Sequence, residues 1–356
     1  ISSFAFILTA CSGKNSAVTE TSFSEVNSEN VSTSSELTSE TAADDTEAVR
    51  DVFAMDTYMT VKAYGPQGDA AVEEINRLDA LLSTGNEDSE VAGINANNGG
   101  HLSEDGAVLM ERSLELYKST GGVFDVAIYP VMKAWGFTDG NYRVPDNETL
   151  KSLLQLADPS LIEYDSSTAD VNFEEKGVQI DFGGIAKGYT SSRIMDIYKE
   201  KGVTSGLVNL GGNAQVLGTK PDGSLWRVAV QSPDAEDEYL GVLETKDKAI
   251  ITSGGYERYF EKDGVTYHHI IDPSTGYPAE NGLISVTIVS ADGTLADGLS
   301  TSLFVMGKDK AVDYWRTHSD EFDMILLTDD EQLYVSEGIK DSFTSDRDVN
   351  IVEKDD

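Results

Sequence analysis

The sequence has one cysteine, Cys11, in 356 residues. A lone thiol forms no intrachain disulfide, and its place near the start leaves the rest of the chain without a thiol nucleophile. Basic residues are scarce: 26 Lys and Arg face 63 Asp and Glu, a formal charge of -37. That balance argues against electrostatic attachment to nucleic acid or anionic lipid and suits a soluble, exposed surface. No EF-hand spacing organises the acids, so their excess alone does not imply calcium. The apolar run at 1–10 is too short to span a bilayer. Large apolar side chains are few in 12–50, where Ser, Thr, Glu, Asp, Asn and Ala dominate. Such a segment buries too little surface to offset the entropy of ordering.

These limits divide the chain. Residues 1–11 end in Leu8-Thr9-Ala10-Cys11, an apolar run, small residues and a cysteine. The pattern resembles a bacterial lipoprotein signal, implying cleavage before Cys11, a lipid on its thiol, and anchoring at the extracytoplasmic face of the cell membrane. Residues 12–50 are expected to be a disordered acidic linker, 51–345 the folded domain, and 346–356 an acidic tail. The folded part is long enough for one large core or two lobes sharing one.

Within it, helical periodicity comes first. Apolar faces recur over 68–83 and 103–119, with Ser103 a candidate cap, and a helix near Pro130 carries Trp135. Asp146 is placed to cap another helix bearing Leu150 and Leu153. After 178 come short strands at 206–210, 215–219, 226–231, 240–245, 249–253, 258–261, 266–271 and 283–289, separated by turn signals. Helices are expected at 296–306 and 308–317, with strands at 324–328 and 332–335 closing the sheet. Helices first and strands later, without regular alternation, make the class α+β rather than doubly wound.

One junction carries chemistry. The apolar Val178 and Ile180 stop at Asp181-Phe182-Gly183-Gly184-Ile185-Ala186-Lys187-Gly188-Tyr189, and a helix opens behind them. A helix start offers free N–H groups and a positive dipole end, which suits phosphate. Lys187 adds charge, and Asp181 has the chemistry to hold ribose, base or metal. Five further segments accompany it: Met55-Asp56-Thr57, Thr120-Gly121-Gly122-Val123-Phe124-Asp125, Asn209-Leu210-Gly211-Gly212-Asn213, His268-His269-Ile270-Ile271-Asp272-Pro273-Ser274-Thr275-Gly276-Tyr277-Pro278, and Ala296-Asp297-Gly298-Leu299-Ser300-Thr301. In this order, over about 55–328, the six resemble the ApbE family, the FAD:protein FMN transferases.

The resemblance implies an ApbE-like fold of helices and mixed, mainly antiparallel sheets, with the flavin in a cleft between two lobes. It implies Mg2+-dependent transfer of the FMN moiety of FAD to a Thr or Ser hydroxyl of a target flavoprotein, with AMP leaving. The metal would be held by Asp297, Thr301 and the carbonyl of Gly184, with Ser300 as an outer member. Asp297 and Thr301, four apart, share one helix face whatever the family; alone, Asp297 reads first as an ordinary helix N-cap. Flavin contacts would fall to Met55, Val123, Phe124, Asp125, Asp181, Lys187, His269 and Ile271. Met55 and Phe124 also read as core, and Lys187 as a solvated charge. His269 and Asp272 are the candidates for proton transfer, and the residues alone do not choose between them. The loop 209–213 either lies near the cofactor or is a plain turn.

The chain departs from the family at one point. Many members have a tyrosine four residues before the Ser of a Ser-Glu pair, covering the flavin side; here the pair begins at Ser89 and that position is Gly85. A Mg2+-dependent FAD pyrophosphatase giving FMN and AMP therefore stands beside transfer; a non-catalytic flavin-binding surface lipoprotein is a third reading, and the Asp297/Thr301 pair counts against it.

Overall fold

Met55 and Asp56 have left-handed φ angles of 48° and 59°. They form the two-residue turn of a hairpin between β1 (Glu47–Ala54) and β2 (Thr57–Tyr64), with Ala54 opposite Thr57. Such turns match the twist of the flanking strands. The computed structural model describes residues 47–65, 68–233 and 238–355. Cys11 and residues 12–46 lie outside these.

The helical portion follows. α1 (Gly68–Leu82) buries Ala71, Ile75, Leu78 and Leu82 at helical spacing. Ser89 caps α2 (Glu90–Asn97), accepting the Ala92 N–H at 3.0 Å, and a short β3 (Gly99–His101) comes next. Ser103 caps α3 (Glu104–Ser119), while its own N–H donates to Glu90 at 2.7 Å. Then come α4 (Tyr129–Trp135) and α5 (Asn147–Leu153), the latter capped by Asp146 through the Thr149 N–H at 2.8 Å. β4 (Ile162–Asp165) and β5 (Asp170–Phe173) join β3 in a small antiparallel sheet.

The second half is mostly strand. After α6 (Ala186–Glu200) come β6 (Gly206–Leu210), β7 (Asn213–Leu217), β8 (Trp226–Gln231), β9 (Tyr239–Thr245) and β10 (Ala249–Gly254). A hairpin of β11 (Tyr259–Lys262) and β12 (Val265–His268) precedes β13 (Leu283–Ser290). The chain finishes with α7 (Gly293–Met306), α8 (Lys308–His318), β14 (Phe322–Thr328), β15 (Leu333–Ser336), β16 (Phe343–Thr344) and β17 (Val349–Val352).

Nine strands form the central sheet, in the order β1-β2-β6-β7-β10-β13-β14-β15-β17, antiparallel except for β15 with β17. Its middle strands are apolar on both faces. Val286, Ile288, Met324 and Leu326 pack towards α7 and α8. Val289, Ile325 and Leu327 pack towards the small sheet β16-β9-β8, with Trp226 and Leu243 opposite. Each such side chain contributes about 1.5–3 kcal/mol by leaving water, so these doubly covered strands anchor the sheet. The α+β class is borne out.

Two expectations are corrected. The described residues fall in one compact unit, in which a single core joins α2 and α3 to β10, β13 and β14. The linker expected to 50 overlaps β1, which starts at Glu47 and is held by its ladder to β2 more than by burial. The tail expected from 346 contains β17, which pairs with β15 and buries Val352. Two boundaries also move. β12 ends at His268 because residues 269–271 peel away, and α7 begins at Gly293 because Asp292 caps it through the Leu295 N–H at 3.0 Å.

Candidate functional site

That shift of α7 changes the reading of Asp297. It is not the cap of its own helix; it lies in the second turn, and its carboxylate reaches across to α6. The Gly188 N–H donates to Asp297 Oδ2 at 2.8 Å, and the side-chain amide of Asn213 donates to Oδ1 at 3.1 Å. α6 begins at Ala186 behind Ile185, with no side-chain cap of its own. A carboxylate from α7 thus meets the positive end of α6, a favourable pairing of charge and dipole. Burial pushes the Asp297 carboxyl up, opposed by the charge of Lys187 and by its hydrogen bonds.

Hydroxyls continue the site along α7. Thr301 is one turn on, and the Ser300 hydroxyl donates to the Asp297 carbonyl at 2.8 Å. Ser253 at the end of β10 lies 2.8 Å from the Ser300 hydroxyl and 3.3 Å from that of Thr301. The first carbonyl of the α6 ladder is that of Ile185, which accepts from Tyr189, so the Gly184 carbonyl stands outside the ladder. The donor set is therefore one carboxylate, hydroxyls and a carbonyl. Among the described residues no three His, Cys, Asp or Glu side chains cluster as a cage. Magnesium is commonly held this way, by one or two carboxylates with substrate phosphate completing its shell. The residues fit that ion.

Lys187, in the first turn of α6, is half-buried, and its charge reaches three groups: Asp297, Glu257 and His269. Glu257 is open to solvent yet has protein packed around it, and this desolvation raises its carboxyl to about 7. Lys187 pulls against that rise, and Asp297 adds to it. Burial, with Lys187 repulsion second, holds His269 down at about 3, so the ring is neutral. His269 Nδ1 is 3.2 Å from the Arg258 carbonyl, which only accepts; Nδ1 carries the proton and Nε2 is the acceptor.

The flavin candidates divide. The Asp181 N–H donates to the Val126 carbonyl at 2.9 Å, joining segment 123–126 to the start of the α6 junction. Asp181 is half-buried; burial raises its carboxyl, while the Gly183 N–H and the charge of Arg258 lower it. Asp125 is buried and accepts the Ala127 N–H at 2.7 Å, and desolvation pushes its carboxyl up to about 7. Phe124 is buried against Gly184, where an added methyl would lie 3.1 Å from the ring. Val123 is half-buried beside it. Met55, at the hairpin tip, takes the Asp79 carboxylate on its N–H at 3.0 Å and lies 3.9 Å from the Thr190 hydroxyl of α6.

Two candidates have partners of their own. Asp272 uses Oδ1 to accept from the N–H and hydroxyl of Ser274, at 2.8 and 2.7 Å, and so builds its own turn. Ile271 packs with Val131, Trp135 and Leu150 in a satellite core. Three residues of the site were not among the sequence candidates: Ser253, Glu257 and the amide of Asn213. The first two sit in Ser253-Gly254-Gly255-Tyr256-Glu257, whose paired glycines before an acid were the available signal.

The model of the ApbE family matches residues 55–326. The chain is 34% identical to an FAD:protein FMN transferase of Klebsiella pneumoniae, over 74% of this chain and 82% of that protein. It is 33% identical to an FAD:protein FMN transferase of Treponema pallidum, over 76% and 81%. Among solved structures, the ApbE protein of Thermotoga maritima superposes with a TM-score of 0.78 at 32% identity, covering 83% of this chain and 99% of that one. The flavin transferase ApbE of Vibrio cholerae gives 0.74 at 25% identity, covering 83% and 99%.

Proposed function

Because this chain belongs to the ApbE family, we propose that it transfers the FMN moiety of FAD to a Thr or Ser hydroxyl of an acceptor flavoprotein and releases AMP. The observation that carries this is the buried Asp297 at the start of α6, a helix with no side-chain cap of its own, with Thr301 one turn along and Lys187 beside it. In the reaction the acceptor oxygen bonds to the FMN phosphorus, the pyrophosphate P–O bond breaks, and its electron pair leaves on AMP. Asp297, Thr301 and the Gly184 carbonyl would hold magnesium, which when bound supplies positive charge to the pyrophosphate oxygens.

The chain's own residues do the rest. Lys187 and the α6 N-terminus attract the diphosphate. The hydroxyl proton needs an acceptor, and a group near neutrality is best matched to that task. Glu257, at about 7, meets this better than His269, at about 3. His269 with its bare Nε2 is suited to accept a hydrogen bond and orient the nucleophile. Asp125 and Asp181 supply polar contacts for the flavin, and Phe124 and Met55 supply apolar ones.

Hydrolysis has one observation in its favour. Gly85 is exposed, and an added methyl there meets only Ser83 Oγ, at 3.9 Å. Without an aromatic cover, water has freer access as the acceptor. AMP release from FAD, followed with magnesium or EDTA and with or without acceptor, separates the readings. Release that requires acceptor supports transfer; magnesium-dependent release indifferent to acceptor makes the protein a pyrophosphatase.

Anchoring belongs to the same proposal and rests on the sequence around Cys11 alone. Among the described residues no helix is long and apolar enough to cross a membrane. Lipid on Cys11 would keep the enzyme at the extracytoplasmic membrane face; Cys11→Ala should shift it from the membrane to the soluble fraction.

A further inference from the structure

We propose that Asn213 is a positioning residue for Asp297, its side-chain amide fixing the carboxylate plane that a divalent cation would meet. The inference rests on the metal site of the proposed function and assigns a role to a residue of the 209–213 loop.

Three features carry it. Asn213 is buried, at 3% exposure, and its Nδ2 lies 3.1 Å from Asp297 Oδ1. A carboxylate here only accepts, so the amide must donate. With the Gly188 N–H on Oδ2, each oxygen has its own donor and the plane is held from two sides.

The backbone places this amide deliberately. Leu210 pairs with Asn213 across a two-residue turn, Gly211-Gly212, with φ of 66° and 95°. The Gly212 N–H closes the turn on Asn209 Oδ1 at 2.8 Å, and Gly211 abuts Thr57 of the first hairpin, leaving no room for a Cβ. Side chains then alternate along β7. Ala214 and Val216 enter the apolar core beneath the sheet, while Asn213 and Gln215 form a polar seam under α6 and α7. Gln215 Oε1 accepts from the Ser191 hydroxyl at 2.5 Å.

Chemistry explains why an amide fits. Burying one is costly unless it is hydrogen-bonded, and an apolar residue would fill the same space without that cost. A lysine or arginine there would neutralise Asp297 and compete with a cation. The neutral amide orients the carboxylate and leaves its charge for the metal.

The test uses Mn2+ as a spectroscopic probe on the FAD-bound protein, reading free Mn2+ by electron paramagnetic resonance. Asn213→Ala, and Asn213→Leu as a variant that refills the space, should each weaken Mn2+ binding about 10- to 100-fold, the usual effect of removing a group that orients a ligand. FAD affinity measured in EDTA should stay within about twofold, which a general loss of structure would not allow. Asp297→Asn serves as the control. If Asp297→Asn loses Mn2+ while a folded Asn213 variant, judged by its melting curve, binds as the parent does, the positioning role is overturned. If Asp297→Asn itself binds Mn2+ normally, the metal site is misassigned and the inference falls with it.

Discussion

Gly188 and Asp297 touch at two levels: the Gly188 N–H bonds the carboxylate at 2.8 Å, and a methyl on Gly188 would stand 2.6 Å from Asp297 Cβ. The same methyl would press on the Gly293 carbonyl. Absence of a side chain at this crossing lets α6 and α7 approach closely enough for one to be capped by the other. Gly188→Ala must therefore separate the helices or displace Asp297. We expect a loss of about 1–3 kcal/mol from overpacking, read in denaturant melts, with AMP release falling by more than stability alone explains. A variant as stable and active as the parent would show that the contact is not tight.

Asp125 gives a pH test. Burial raises its carboxyl from 3.8 to about 7 in the folded protein. The native state then binds the proton more tightly than the unfolded chain between those values. Stability from this residue is thus highest at low pH and falls as pH rises through that window. Asp125→Asn removes the titration. The melting temperature of the variant relative to the parent, taken without metal or FAD, should rise from pH 4 to pH 8; a constant difference would place Asp125 in a more hydrated setting.

Much of this was legible in the sequence, for identifiable reasons. α1 and α3 bury regular apolar faces, and Asp146 caps α5 as its position suggests. β1, β3, β4 and β17 are short or polar and owe their form to ladders with partners, which periodicity does not register. The same limit applies to the site. The Asp297–Thr301 spacing is local and was visible, whereas Gly188 and Asn213 meet Asp297 across 109 and 84 residues of chain. Asp272 is a local case too: Asp-Pro-Ser-Thr-Gly is a turn-forming run, and the aspartate's Oδ1 is used within it.

Glu257 and His269 are told apart by pH profiles. Acceptor-dependent turnover should rise through pH 7 as Glu257 ionises, and Glu257→Gln should lose that limb along with most of the rate, about 100-fold or more. His269→Gln should slow turnover while keeping the limb. A limb that persists in Glu257→Gln would assign the proton to another group.

Gly85→Tyr addresses the choice of acceptor. The position is exposed and spacious, so the substitution should leave the melting temperature nearly unchanged. If water competes in the parent, the tyrosine should raise FAD retention and lower acceptor-independent AMP release. An unchanged ratio of AMP released to flavin retained would show that the position does not control access.

The central claim is tested most directly by the mass of an acceptor domain carrying a target Thr or Ser, after incubation with FAD, magnesium and enzyme. The account predicts a gain of one FMN matched by one AMP with the parent, and neither with Asp297→Asn even where that variant still binds some FAD. An acceptor left unmodified by the parent, or one modified undiminished by Asp297→Asn, would contradict it.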